Sequence, residues 1–256
     1  MSERAFTKRR ANAPAGFFEA EAAGLRWLAD ARGARVVEVR DVAPGRIDLE
    51  PLDLARPTER AAREFGAALA ATHDAGAAAF GVPPDGYDGP TYLGNQTLST
   101  RREGWPAWGT FYATQRVLPY ARRARERGHL EASGLALVER ACERIAAGGF
   151  DDGDPPARIH GDLWNGNVQW TREGAVLIDP AAHGGHRETD LAMLALFGCP
   201  HLAAIYAGYR DAHPLHDGWE RRLDLHQLHP LAVHAASHGS SYAAPLTAAA
   251  HAVLAA

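Results

Sequence analysis

The 256 residues carry 46% hydrophobic and 23% charged side chains at a formal net charge of -4. These are proportions of a soluble globular enzyme, with one substantial core or a large lobe joined to a small one. That charge excludes general electrostatic attraction to nucleic acid, and any affinity for phosphate has to be local. The chain has no apolar run near the length of a membrane span, and Met1 to Arg10 lacks the apolar core of a signal peptide. The expectation is a cytoplasmic monomer with no membrane or nucleic-acid partner.

In chain order, Arg4 to Arg10 reads as a short strand. Pro14 then opens a helix from about Ala15 to Ala31, with Phe17, Phe18, Leu25 and Leu28 at helical spacing. Two strands follow, Arg35 to Val39 and Arg46 to Glu50, separated by a Pro44-Gly45 turn. Pro51-Leu52 marks a lobe boundary, giving a small part over 1–52 and a larger one over 53–256. Pro57 starts a second helix to about His73, with Phe65, Leu69 and Thr72 on one face.

Gly76 to Gly104 reads as a long loop, and loops of that length inside a compact domain are usually functional. Helices fit Trp105 to Arg127 and Glu131 to Ala147, with Gly148-Gly149 as a stop. A short strand, a loop and a small hairpin span Arg158 to Ile178. From Glu188 onward the pattern is helical, broken at Pro200, Pro214 and Pro245. Cys142 and Cys199 sit in apolar helical patterns and are expected as reduced, buried thiols. His226, His229, His234 and His238 beside Pro230 read as packing and capping histidines rather than metal ligands. The fold class is therefore α+β, strand-poor and helix-heavy after residue 52.

The segment His160-Gly161-Asp162-Leu163-Trp164-Asn165-Gly166-Asn167 carries the chemistry. Asp162 and Asn167 stand in an H-x-D-x-x-x-x-N frame, the spacing of a kinase catalytic loop. There the Asp accepts the proton of an attacking hydroxyl and the Asn holds Mg²⁺. Asp179 follows the apolar run Ala175 to Ile178, which places a second metal-binding carboxylate at a strand end. Isolated Asp and Asn residues before Gly build turns; the full constellation points to phosphoryl transfer.

Lys8 is the sole lysine among 27 cationic side chains. It lies on a strand just before a helix carrying Glu19 and Glu21. A kinase needs a compact ammonium on the nucleotide phosphates and a helix carboxylate to fix it. Spacing alone leaves Glu19 and Glu21 both open as the partner.

Residues His160 to Val168, with a Trp after Asp-Leu, resemble the catalytic loop of the fructosamine (ketosamine) kinases, within the aminoglycoside-phosphotransferase-like kinases. Asp179-Pro180-Ala181 through Gly185-His186-Arg187-Glu188-Thr189-Asp190-Leu191-Ala192-Met193 is similar to the family's second signature. Phe18 to Glu21, Gln115 to Leu118 and Leu228 to His234 also match. The resemblance implies a bilobal protein-kinase-like fold and ATP- and Mg²⁺-dependent phosphorylation of a sugar hydroxyl on a ketosamine. It assigns Asp162 as base, Asn167 and Asp179 as Mg²⁺ ligands, and Lys8 with Glu21 as the phosphate-anchoring pair. Leu49-Glu50-Pro51-Leu52 becomes the hinge where backbone groups bond adenine.

Asp190 becomes a brace for the catalytic loop that begins at His160, a role compatible with a helix N-cap. Trp164 is then a wall for the sugar-amine, or simply a core aromatic. Two departures stand out. Relatives place a Gly-rich hairpin upstream of the lysine, whereas Met1 to Thr7 contains no glycine. The expectation is a natural start about thirty residues earlier, the alternative being a nucleotide- or sugar-binding pseudokinase. Ser237-His238-Gly239-Ser240 also replaces the family's Leu-Phe-Gly-Gly, which leaves an aminoglycoside or another small-molecule acceptor as a further alternative.

Overall fold

The computed structural model describes residues 5–256. Strand β1 (Phe6–Arg9) pairs antiparallel with β3 (Arg46–Leu49), and β3 pairs on its other side with β2 (Val39–Ala43). Arg4, included in the expected first strand, lies outside the described residues. Helix α1 (Phe17–Asp30) covers this sheet with Phe18, Ala22 and Leu25, which pack on Val37, Ile47 and Leu49. The Pro44-Gly45 turn forms as read, but its leading strand begins at Val39 rather than Arg35. Residues 35–37 pair elsewhere: Val37 N–H donates to Leu177 O, and Leu177 N–H to Arg35 O. Those bonds tie the small sheet to the hairpin β7 (Val168–Thr171) and β8 (Gly174–Leu177).

The larger part is built on α2 (Glu59–Asp74), whose N-cap Thr58 accepts from Ala61 N–H. It crosses α7 (Leu202–Ala212) at two glycines. A Cβ on Gly66 or Gly208 would sit 1.9 Å from the carbonyl oxygen of Ile205 or Arg63, so only glycine allows that approach. The expected loop over 76–104 contains a small hairpin, β4 (Thr91–Leu93) and β5 (Gln96–Leu98).

The helix read over 105–127 begins as α3 (Trp108–Phe111) and widens into a π-helical stretch over Tyr112–Val117. It then continues as α4 (Leu118–Glu126). Helix α5 (Ala132–Ala146) is followed by β6 (Ala157–Ile159), which pairs with β9 (His183–Gly185) and so closes the intervening loop at its base.

After α6 (Arg187–Leu196) and α7, helix α8 (Leu223–His238) contains Pro230, and α9 (Ala243–Ala255) contains Pro245. The expected break at Pro245 falls instead at Gly239, because a proline in a first helical turn costs no intrahelical bond. Pro230 does cost one, at the carbonyl of His226. The Tyr112 hydroxyl compensates: it lies 2.7 Å from His226 O and accepts from His229 N–H at 3.1 Å. Cys142 is buried and free, whereas Cys199 is free but only partly buried, unlike the expectation. No helix among the described residues is long and apolar enough to cross a membrane.

Candidate active site

Strand β6 delivers the chain into a tight loop that one carboxylate holds in shape. Asp190, fully buried on α6, accepts from His160 N–H at 2.7 Å and Gly161 N–H at 2.9 Å. His73 Nε2 lies 3.1 Å from the same carboxylate. Burial alone would raise its pKa, yet His73 and the donors around His160 outweigh that and hold it below the usual value. The cap of α6 is His186, whose Nδ1 accepts from Glu188 N–H, so the expected N-cap role of Asp190 is not seen. Gly161 adopts φ +79°, and a Cβ there would meet Ala181 O at 2.4 Å.

His160 Nδ1 accepts from Asp162 N–H, so its Nε2 carries the proton and donates to Ile178 O at 2.9 Å. Burial lowers the His160 pKa and keeps the ring neutral. Asn167 Nδ2 reaches Asp162 O (2.8 Å), Asp162 Oδ2 (3.1 Å) and Asp179 O (3.4 Å). With its nitrogen so engaged, the amide oxygen is left for the cavity that Asn167 lines. Burial pushes the Asp162 carboxyl up to about 7 against the pull of the Asn167 hydrogen bond, and Asp179 and Asp190 add to the rise.

Lys8 Nζ lies 2.8 Å from Glu21 Oε1 and 2.5 Å from Asp179 Oδ1. Glu21 is thus the carboxylate that meets the lysine. Burial would release the ammonium proton, but Glu21 and Asp179 outweigh it and raise the Lys8 pKa. Burial also raises Glu21 against the pull of Lys8: two carboxylates share one ammonium in a half-dry site. Asp179 sits at φ +54°, a left-handed conformation uncommon for a non-glycine residue and concentrated at functional positions.

Lys8, Glu21, Asp162, Trp164, Asn167 and Asp179 line one cavity of about 620 Å³. A second, of about 370 Å³, shares Lys8 and Asp179 and is walled by Val37, Leu49, Leu52, Leu54 and Ile178. Glu50 borders it too, but its N–H donates to Glu38 O, so only its carbonyl remains for a ligand. Trp164 is 41% exposed, so it is not a core aromatic.

Two features escape the sequence reading. The β4–β5 hairpin brings Thr91, Tyr92 and Gly94 to the larger cavity; Gly94-Asn95 between strand-forming residues was its available signal. Below the catalytic loop, Asp152, Asp154, His186, Glu188 and His226 gather. Because His186 Nδ1 accepts the capping bond, its Nε2 holds a proton, facing Asp152 at 3.3 Å. Arg187 on Asp154 and Arg222 on Glu188 supply positive charge, where a metal would otherwise be needed. His186 and Glu188 fall within the second signature, but Asp152, Asp154 and His226 come from separate stretches, so no local motif announces the cluster.

A family model described as fructosamine kinase matches residues 1–256. A probable ketoamine kinase of Enterococcus faecium is 33% identical over 239 residues, 93% of this chain and 83% of that protein. One from Thermus thermophilus is 33% identical over 229 residues, covering 90% and 79%. A crystal structure from Thermobifida fusca, assigned as a fructosamine-3-kinase, superposes with a TM-score of 0.90 at 45% identity, over 98% of this chain and 86% of that one. At 14% identity, an aminoglycoside phosphotransferase solved with ADP and hygromycin B shares the fold alone, at a TM-score of 0.58.

Proposed function

The chain belongs to the fructosamine kinase family, and on that premise we propose that it transfers the terminal phosphoryl group of ATP to a sugar hydroxyl of a ketosamine. The fold is protein-kinase-like. The nucleotide lies between a small lobe over 1–52 and a larger one over 53–256. Its adenine enters the apolar cavity beside Glu50 and Leu52, and its phosphates meet Lys8, which Glu21 orients.

Asn167 and Asp179 hold Mg²⁺, which supplies charge neutralisation on the phosphates when bound. The donor set suits that hard ion: one carboxylate and one free amide oxygen. Asp162 takes the proton of the acceptor hydroxyl. Its backbone is fixed by His160 and Asp190, so the carboxylate is aimed before substrate arrives. Trp164 walls the sugar. Every group comes from one chain, so a monomer suffices.

The observation that carries this reading is the convergence of Lys8, Asp162, Asn167 and Asp179 on one cavity, with the base candidate shifted to about 7. ADP release with fructosyl-lysine, other ketosamines, aminoglycosides and choline as acceptors tests it. Turnover is expected with ketosamines, together with its loss in Asp162→Asn at unchanged folding. Absence of turnover with every ketosamine, or full activity of that variant, would overturn it.

A further inference from the structure

Trp164, which lines the candidate cavity, is the first of a row of aromatic rings. The indole lies across Gly166, where a Cβ would come within 2.2 Å of a ring carbon, so its orientation is fixed by the loop itself. Its other contact is Phe197, at the C-terminus of α6, edge-on with ring centroids 6.4 Å apart. Phe197 in turn meets His234 of α8 at 4.8 Å. His234 meets Tyr242 at 4.9 Å and stacks on His238 at 5.0 Å with 21° between the planes. Five rings from four separate segments thus form one continuous row leading out of the cavity.

None of the five is fully buried, and Trp164 and His238 are exposed. Aromatic side chains left this open in a continuous row, when each could bury its faces in the core, present area to something else. His234 Nδ1 donates to Pro230 O at 2.7 Å, and burial lowers its pKa, so it enters the row as a neutral ring. No carboxylate or guanidinium belongs to the row. Its chemistry therefore suits an uncharged, flat or apolar group.

We propose that the row Trp164–Phe197–His234–Tyr242, edged by His238, is a subsite for the group carried on the ketosamine nitrogen, and that it selects aromatic and apolar amines. The proposal rests on the kinase reading above. With the reacting hydroxyl at Asp162 and the sugar against Trp164, the nitrogen substituent is the part of the substrate that reaches Phe197 and His234. Each ring contact is worth roughly a two- to tenfold gain in binding.

The test uses one sugar and a series of amines: the fructose adducts of methylamine, glycine, hexylamine and phenethylamine. Wild type is expected to favour the phenethylamine adduct over the methylamine adduct in kcat/KM by about tenfold or more, through KM. Phe197→Ala and His234→Ala should shrink that preference to about twofold, and Phe197→Trp should keep it, which a merely structural role would not reproduce. A flat series in wild type, a preference for glycine, or a preference untouched by both alanine variants overturns the proposal and leaves the kinase reading standing. If wild type turns over none of the adducts, both fall together.

Discussion

Replacing Asp190 with alanine removes an acceptor that three buried groups use at once. His160 N–H and Gly161 N–H, at 2.7 and 2.9 Å, have no alternative partner within the loop, and His73 Nε2 at 3.1 Å loses its carboxylate. An unsatisfied buried donor costs about 1–3 kcal/mol. Some recovery by entering water lowers the sum, so a loss of about 3–5 kcal/mol is expected. For a chain of this length, 1 kcal/mol shifts Tm by about 2–4 °C, so Tm should drop by roughly 6–20 °C.

Asp190→Asn keeps the shape but offers one acceptor oxygen and sets an amide NH₂ against the second backbone donor. It should fall between wild type and alanine in stability. Denaturant unfolding gives the stability, and ADP release at a temperature where both variants remain folded gives the activity. In both variants kcat should fall at nearly unchanged KM for ATP, because the loop carrying Asp162 relaxes while the Lys8 side of the cavity is untouched. A stability loss under about 1 kcal/mol for Asp190→Ala would refute the reasoning, since it would mean the two loop N–H groups find other partners.

Because Asp162 is pushed up to about 7 and must be ionised to take a proton, acceptor kcat/KM should fall about tenfold per pH unit below that value. A cation bound beside it favours the carboxylate, so the acid limb of kcat should lie lower still; a kcat/KM profile flat from pH 6 to 8 contradicts the first statement, and an acid limb of kcat at or above that of kcat/KM contradicts the second. Tyr112→Phe leaves the His226 carbonyl opposite Pro230 and the His229 N–H without their hydroxyl partner. It should cost about 1–3 kcal/mol in denaturant unfolding; a neutral result means that α8 closes the gap by itself. Gly66→Ala forces α2 and α7 apart at a 1.9 Å contact and should destabilise more than Gly86→Ala, whose Cβ meets nothing within 4 Å and bears only the strain of φ +74°; equal Tm values would refute that.

The geometry of the candidate catalytic loop was legible in the chain because it is local: Asp162 and Asn167 meet across five residues, and spacing in sequence fixes spacing in space. The sole lysine was legible for a different reason, contrast with an otherwise all-arginine chain. Spacing could not choose between Glu19 and Glu21; the resemblance chose Glu21, and the helix phase agrees, with Glu21 on the buried face of α1 and Glu19 half-buried. The strand at 35–39 was misread because β-branched residues signal an extended chain without naming its partner. Residues 35–37 are extended, but they bond Leu177, and pairing with β3 begins only at Val39. The helix was read through Pro230, but what lets it continue was not legible, because the compensating hydroxyl comes from Tyr112, more than a hundred residues away. The same holds for the aromatic row, whose members fall on separate elements and meet only through tertiary packing.

On the proposed function the site has to accept a cation and a polyanion together. Glu21 and Asp179 meet the ammonium of Lys8, while Asp162, Arg9 and Arg10 line the same cavity, and burial, with Asp179 adding to it, raises the pKa values of Asp162 and Glu21. If Asn167 and Asp179 hold a divalent ion as proposed, Asp179 would have to turn from Lys8, and the same turn would leave the ammonium to the phosphates. The 2.5 Å contact between Lys8 and Asp179 would then stand in for two ligand contacts, each partner neutralising the other until phosphate and metal replaced them. An arginine would serve less well here. Its fork would hold Asp179 through two parallel bonds and resist the exchange, whereas a point charge on a flexible stem turns from one acceptor to the next.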